Sequence, residues 1–290
     1  MIENKDCLEY LNTLEDDSVD LVVTDPPYFI GFDGGKGWDS QWDSEHAYLE
    51  WCEQWTAECV RVLKPNRMFI VWGTLKTETF LRYKLQTTDN HAVLTPQNEI
   101  IWGYNWGGRS KTNFARKHEY AWCWSKGGDF LFNDKEIRIA RKVNKNMNLE
   151  KKLLGEYKSQ NPDATKKQIA EHKKIHIDPK TKFTDGTIPT CIWEKNNHTT
   201  SKDYCGWHPT TKNLEVMERI VRGYTLEGDT VLDIFMGSGS TAIAAKRAGR
   251  KYIGCERDEE YYVKLHERLG RDVPVEEVAQ NPLESALDAL

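Results

Sequence analysis

The chain has 290 residues, 39% of them hydrophobic and 29% charged, which is enough apolar content for a core and excludes disorder throughout. Seven cysteines without a Cys-x-x-Cys pair argue against a disulfide framework, and no apolar run reaches the ~18 residues of a membrane span. Met1–Asp6 lacks the basic and apolar regions of a signal peptide, so a cytoplasmic protein is expected. The net charge of −5 hides one basic stretch: residues 133–202 carry 16 Lys and Arg against 9 Asp and Glu, which fits a segment contacting a polyanion or, equally, a solvated surface.

In chain order, Asp20–Thr24 reads as a short buried strand that stops at Asp25-Pro26-Pro27, since proline cannot donate to a ladder. After a Gly-rich aromatic loop, Ser44 caps an expected helix reaching about Leu63, with Tyr48, Leu49, Cys52, Trp55 and Cys59 at helical spacing. Lys64-Pro65-Asn66 ends it, and Met68–Trp72 is the next buried strand. Glu99–Tyr104 and Glu119–Trp124 form an expected antiparallel pair flanking the Gly-rich stretch Trp106–Ser110. From Asn133 the chain turns lysine-rich, with helices expected near residues 149–159 and 164–173, so it reads as an inserted module. Val231–Phe235, Ser240–Gly249, Lys251–Glu256 and Asp258–Leu269 then alternate strand, helix, strand, helix, the signature of a parallel sheet.

Phe235-Met236-Gly237-Ser238-Gly239 lies between a strand and a helix, where glycines let the backbone approach a ligand. Glu256 ends the following strand, where a carboxylate can accept both hydroxyls of a ribose. A nucleoside-containing cofactor is implied. The same residues satisfy a dinucleotide fingerprint, and a ligand-free glycine turn is the bland alternative. Chain order speaks against a dinucleotide fold, because only one further strand–helix unit follows the turn.

Asp25-Pro26-Pro27-Tyr28 is the most informative stretch. It follows a buried strand and so lies at the carboxyl edge of the sheet, where ligands bind. Two prolines make the turn rigid and remove its backbone donors, leaving a site of acceptors beside an aromatic face. That inventory suits an exocyclic amino group on a planar base. Asp25 and the Pro26 carbonyl would accept its N–H groups, Tyr28 would stack on the ring, and the freed lone pair would attack a sulfonium methyl in line.

Together these stretches resemble the beta class of DNA amino-methyltransferases, which act on N6 of adenine or N4 of cytosine. The resemblance rests on Asn4–Glu9, Asp20–Tyr28, Arg61–Pro65, Phe114–Lys126 with His118-Glu119-Tyr120, His208-Pro209-Thr210 and Asp233–Thr241. It implies a Rossmann-like α/β sheet, mostly parallel with an antiparallel edge hairpin and a circularly permuted motif order. Residues 1–132 would be the catalytic half, 133–202 a target-recognition insert, 203–270 the cofactor half and 271–290 an acidic tail. It implies Asp25, Pro26, Pro27 and Tyr28 as catalytic residues. S-adenosylmethionine would be held by Asp6, Cys7, Asp25, His208, Thr210, Lys212, Asp233, Phe235, Gly237, Ser238, Gly239 and Glu256. Two departures stand out: Thr211-Lys212-Asn213 follows His-Pro-Thr where Gln-Lys-Pro is usual, and Asn66-Arg67 replaces Gly-Gly.

Asp at the first position of the catalytic motif points to adenine rather than N4-cytosine. Carbon-5 methylation needs a Cys nucleophile, in that family after a proline, and no Pro-Cys pair exists. Double-stranded DNA is the expected partner, contacted through Lys142, Lys145, Lys151, Lys152, Lys166, Lys167, Lys173 and Lys174. A homodimer and a cognate restriction endonuclease accompany the resemblance. Phe29, Trp38 and Trp42 are candidates for the base pocket, with core packing the plainer role. Cys205-x-x-His208 near Cys191 and His198 lacks the spacing of a structural zinc site, so no metal is expected. Rival readings are an N4-cytosine or RNA methyltransferase, a silent DNA-binding protein with this fold, and a nicotinamide oxidoreductase.

Overall fold

The computed structural model describes residues 1–32, 34–73, 94–104, 112, 114–115, 117–139, 147–172, 188–194 and 203–272. They form two units, one of Met1–Asn133 with Cys191–Leu290 and one of Asp134–Thr190. The first contains β1 (Ile2–Glu3), α1 (Cys7–Leu11), β2 (Val19–Thr24), α2 (Glu45–Val62), β3 (Leu63–Gly73), β4 (Leu94–Gly103) and β5 (His118–Lys126). The second contains α3 (Asp134–Ile137), α4 (Met147–Gln160) and α5 (Lys166–His172). The first then resumes with β6 (Ile192–Glu194), α6 (Leu214–Tyr224), β7 (Thr230–Asp233), α7 (Ser240–Arg247), β8 (Lys251–Cys255) and α8 (Glu259–Arg271).

One sheet runs β1-β8-β7-β2-β3-β5-β4-β6. The pairs from β1 to β3 are parallel, β5 is antiparallel to both β3 and β4, and β6 pairs parallel with β4. The hairpin therefore lies on the expected flank, while β6 forms the edge itself. That strand shortens the insert relative to the sequence reading, which carried it to residue 202; pairing of Ile101 with Ile192 draws this segment into the sheet.

Alternation within the strands produces a core on each face. Val22, Phe69 and Val71 pack under α1 and α2 with Trp55 and Cys59. Leu21, Val23, Met68, Ile70 and Trp72 pack under α6 and α7 with Ile220 and Ala244. Local signals fix the helix ends. Ser44, Asn213 and Asp258 accept backbone N–H groups at the starts of α2, α6 and α8. Thr165 and Gln168 form a reciprocal capping box on α5. Asn66 takes a left-handed conformation (φ 60°) where glycine is usual in the resembling family, and Arg67 bridges Asp20 and Asp229 at 3.0 and 2.9 Å.

β2 and β7 are neighbours at which the sheet order reverses, β8 continuing to one side and β3 to the other. A crevice at the carboxyl ends of such strands is where open α/β sheets bind ligands. No described helix is long and apolar enough to cross a membrane.

Candidate active site

Asp25–Tyr28 leaves the end of β2 and the glycine turn leaves the end of β7, and both line one cavity of about 400 Å³. Asp233 holds the two together. Its carboxylate accepts the Thr24 hydroxyl (2.7 Å), the Thr241 hydroxyl (2.6 Å) and the Phe235 N–H (3.0 Å). Burial pushes its pKa up to about 6, against these three donors. The sequence reading gave Asp233 to the cofactor; it lines the cavity, and its oxygens also clasp the two corners together through these protein donors.

At the Asp25–Tyr28 corner, Asp25 Oδ1 accepts the Tyr28 hydroxyl and Oδ2 accepts the Lys212 ammonium. Lys212 also lies 3.1 Å from Glu119 Oε2 and over the rings of Trp72 (5.4 Å) and Tyr28 (5.7 Å). Burial raises the pKa of Asp25, exceeding the lowering effect of Lys212. Burial works to discharge Lys212, but the carboxylates of Asp25 and Glu119 prevail and its pKa is raised. One expectation changes here. The corner is not a site of acceptors alone, because an ammonium and a phenol already donate to Asp25. Lys212, expected on the cofactor, lines the cavity with its ammonium on the Asp25 carboxylate.

The cofactor side is built from the glycine turn, Glu256 and the His208 segment. Glu256 accepts the N–H of Gly237 (2.7 Å) and of Asp258 (2.8 Å), and burial raises its pKa. Gly237 has φ 45°, and a Cβ there would stand 2.7 Å from His208 Nε2, so only glycine fits. Thr210 N–H donates to His208 Nδ1 at 3.3 Å, which places the ring proton on Nε2, facing the turn. Burial, then repulsion from Lys212 and Arg268, holds the His208 pKa down at about 3, so the ring is neutral. Arg268 from α8 ties down the Ser238 carbonyl (2.7 Å). Asp6 caps α1 through Leu8 N–H, Cys7 is buried beside it with its thiol pKa raised by burial, and both line the cavity. Phe235 lines it too and packs on Trp51 and Trp55.

Of the aromatic candidates, Trp38 lines the cavity and stacks near His208, whereas Phe29 and Trp42 pack against Tyr48 at the edge of the core. Lys166 and Lys167 are exposed on α5, and Lys151 and Lys152 fall on α4. Lys142, Lys145, Lys173 and Lys174 lie outside the described residues, as does His198 of the weighed zinc site. Cys205 Sγ contacts the Thr211 hydroxyl at 2.9 Å.

Three residues were missed by sequence reasoning. Asp39, 1% exposed, accepts four N–H groups of the turn after the motif: Tyr28 (2.6 Å), Phe29 (2.7 Å), Ile30 (2.9 Å) and Phe32 (3.0 Å). It thereby supports Phe29 at φ 54°, a conformation that L-residues disfavour. Tyr48 donates its hydroxyl to the Pro27 carbonyl at 2.7 Å. Glu119 reaches the corner from β5. An acid eleven residues beyond a turn carries no local signal; Asp39 was visible only as one polar residue in a glycine-rich loop.

The fold and site define a class: a doubly wound α/β protein with a nucleoside-type glycine turn and an Asp-Pro-Pro-Tyr corner facing one cavity. The DNA methylase family (N6_N4_Mtase) matches residues 19–267, and the chain belongs to it. It is 28% identical over 285 residues to the type II methyltransferase M.HinfI of Haemophilus influenzae, covering 91% of this chain and 66% of that protein. It is 28% identical over 261 residues to the DNA adenine methyltransferase YhdJ of Escherichia coli (strain K12), covering 88% and 78%. Among solved structures it is similar to the cytosine-N4-specific PvuII DNA methyltransferase (TM-score 0.64, 18% identity, 96% and 89% covered). It is likewise similar to the M1.HpyAVI–SAM complex (TM-score 0.55, 21% identity, 92% and 98% covered). At these identities the solved structures speak to the fold.

Proposed function

We propose that the protein transfers a methyl group from S-adenosylmethionine to N6 of adenine in double-stranded DNA, at a specific site, with the target base turned out of the helix. The observation that carries this reading is the shared cavity of the Asp25–Tyr28 corner and the glycine turn with Glu256. The residues present fit the cofactor. Gly237 leaves a recess that a single Cβ would close, and Glu256 keeps a carboxylate beside it for ribose hydroxyls. Asp6 lies close by for the adenine, and neutral His208 with Thr210 faces the other end. When bound, S-adenosylmethionine supplies a methyl group made electrophilic by its sulfonium charge.

Asp25 and the Pro26 carbonyl accept the N–H groups of the exocyclic amine and free its lone pair by drawing the nitrogen towards tetrahedral geometry. Burial raises the proton affinity of Asp25, which suits it to take the proton the nitrogen gives up. Tyr28 offers the flipped base a stacking face. Exposed lysines of the second unit, Lys166 and Lys167 among them, contact phosphates and offset part of the unstacking cost. Restriction–modification is the proposed setting, with a cognate endonuclease cutting the same site; M.HinfI is named a type II enzyme.

Adenine is favoured by Asp at the first motif position and by the adenine activity in the name of YhdJ. N4-cytosine is the second reading, favoured by the name of the PvuII enzyme and by the same acceptor chemistry. Incubation with methyl-labelled S-adenosylmethionine and unmethylated DNA, followed by digestion to nucleosides, tests both. Label in N6-methyl-2′-deoxyadenosine is expected, and label in N4-methyl-2′-deoxycytidine selects the second reading. Tight DNA binding with no transfer would refute both.

A further inference from the structure

Resting on that reading, we propose that Glu119 is a positioning residue that draws the Lys212 ammonium off Asp25 so that Asp25 can receive the target amine. Both Asp25 oxygens already hold donors, the Tyr28 hydroxyl and Lys212 Nζ. An ammonium there competes with the amine for the carboxylate. It also repels the positive charge that nitrogen acquires while attacking a methyl group, and little solvent is present to screen it. Lys212 cannot be neutralised cheaply, because two carboxylates outweigh its burial. It has to be housed elsewhere.

The house is beside it. Glu119 Oε2 is sealed from solvent and already forms an ion pair with Nζ at 3.1 Å, so Lys212 is shared between the two carboxylates. A small swing of the lysine side chain leaves the ammonium on this carboxylate alone and frees Asp25 Oδ2. The backbone need not follow, since the Lys212 carbonyl is held by the Ser240 hydroxyl at 3.0 Å. The Trp72 and Tyr28 rings flank the ammonium and give it an apolar, cation-binding surround. Without the Glu119 charge, Asp25 is the one carboxylate left to Lys212, and the pair locks.

The test uses two duplexes containing the site that the wild-type protein methylates, one with the target adenine and one with purine, which lacks the amino group. Their affinities are measured by fluorescence anisotropy without cofactor. The adenine-over-purine preference falls about tenfold in Glu119→Gln, is retained in Glu119→Asp, and rises above wild type in Lys212→Met, where nothing competes for Asp25. In the Lys212→Met background, Glu119→Gln has no further effect. An unchanged preference in Glu119→Gln, or no rise in Lys212→Met, overturns the inference, and the lysine variant decides it even where Glu119→Gln does not fold. Absence of methyl transfer by the wild-type protein would refute the proposed function instead.

Discussion

Replacing Asp39 by Asn keeps its shape and removes half of its accepting capacity. Oδ1 takes Tyr28 and Phe29 N–H, and Oδ2 takes Ile30 and Phe32 N–H, all within 3.0 Å. An amide retains one oxygen and points an NH2 at the other two donors. Two charge-assisted bonds are lost at ~1.5–3 kcal/mol each, roughly 3–6 kcal/mol in all, before any repulsion between donors. The turn is short and partly exposed, so it yields locally rather than unfolding the sheet. Hydrogen exchange at the Tyr28, Phe29, Ile30 and Phe32 amides is expected to quicken by about two orders of magnitude or more, with β2 and β3 unchanged. Methyl transfer should fall at least tenfold while S-adenosylhomocysteine affinity holds. Protection within threefold of wild type at these four amides would refute the argument.

Asp25→Asn should lose transfer by about two orders of magnitude or more and keep S-adenosylhomocysteine binding by calorimetry, because in the proposed reading its carboxylate receives the amine. Gly237→Ala faces a 2.7 Å contact with His208 and a left-handed backbone costing ~1–2 kcal/mol, so cofactor affinity should drop at least tenfold in the same assay. His208 has a folded pKa of about 3, below its ordinary 6.5, so the unfolded chain binds its proton first as pH falls. Stability from this neutral ring is therefore full above pH 6.5 and is lost towards pH 3. Between pH 6.5 and 5, urea unfolding of His208→Gln should lose roughly 1.5 kcal/mol less than wild type. Finally, DNA affinity should fall steeply with salt, and Lys166→Ala or Lys167→Ala should each flatten the log–log slope by about 0.9; an unchanged slope would remove that lysine from the interface.

Long, strongly patterned elements were legible in the sequence. The strand ending at Asp25, the Ser44-capped helix, the glycine turn and its flanking strands all lie where composition and capping put them, within a few residues. β1, α1 and β6 carry too few residues for a period to show, and β6 is defined only by its partner β4. α6 went unread from its own residues, although Leu214, Met217, Ile220, Val221 and Tyr224 mark one buried face. At the site, residues next to a motif could be read and residues delivered by folding could not. Glu119 meets Lys212 across 93 positions, and Lys212 meets Asp25 across 187. Asp233 shows the same limit: its place beside the glycine turn was legible, but its bonds to Thr24 and Thr241, from two separate stretches of chain, were not.

That clasp has a consequence for how such a protein can diversify. Thr24 and Asp233 stand on adjacent strands although 209 positions separate them along the chain. The anchorage of the chemistry is thus indifferent to what the intervening polypeptide does. The excursion Asp134–Thr190 can lengthen, shorten or be exchanged for another, and the reacting corner stays pinned to its neighbour. Under the proposed reading, in which that excursion meets the DNA, a new target calls for a new excursion and leaves the clasp untouched.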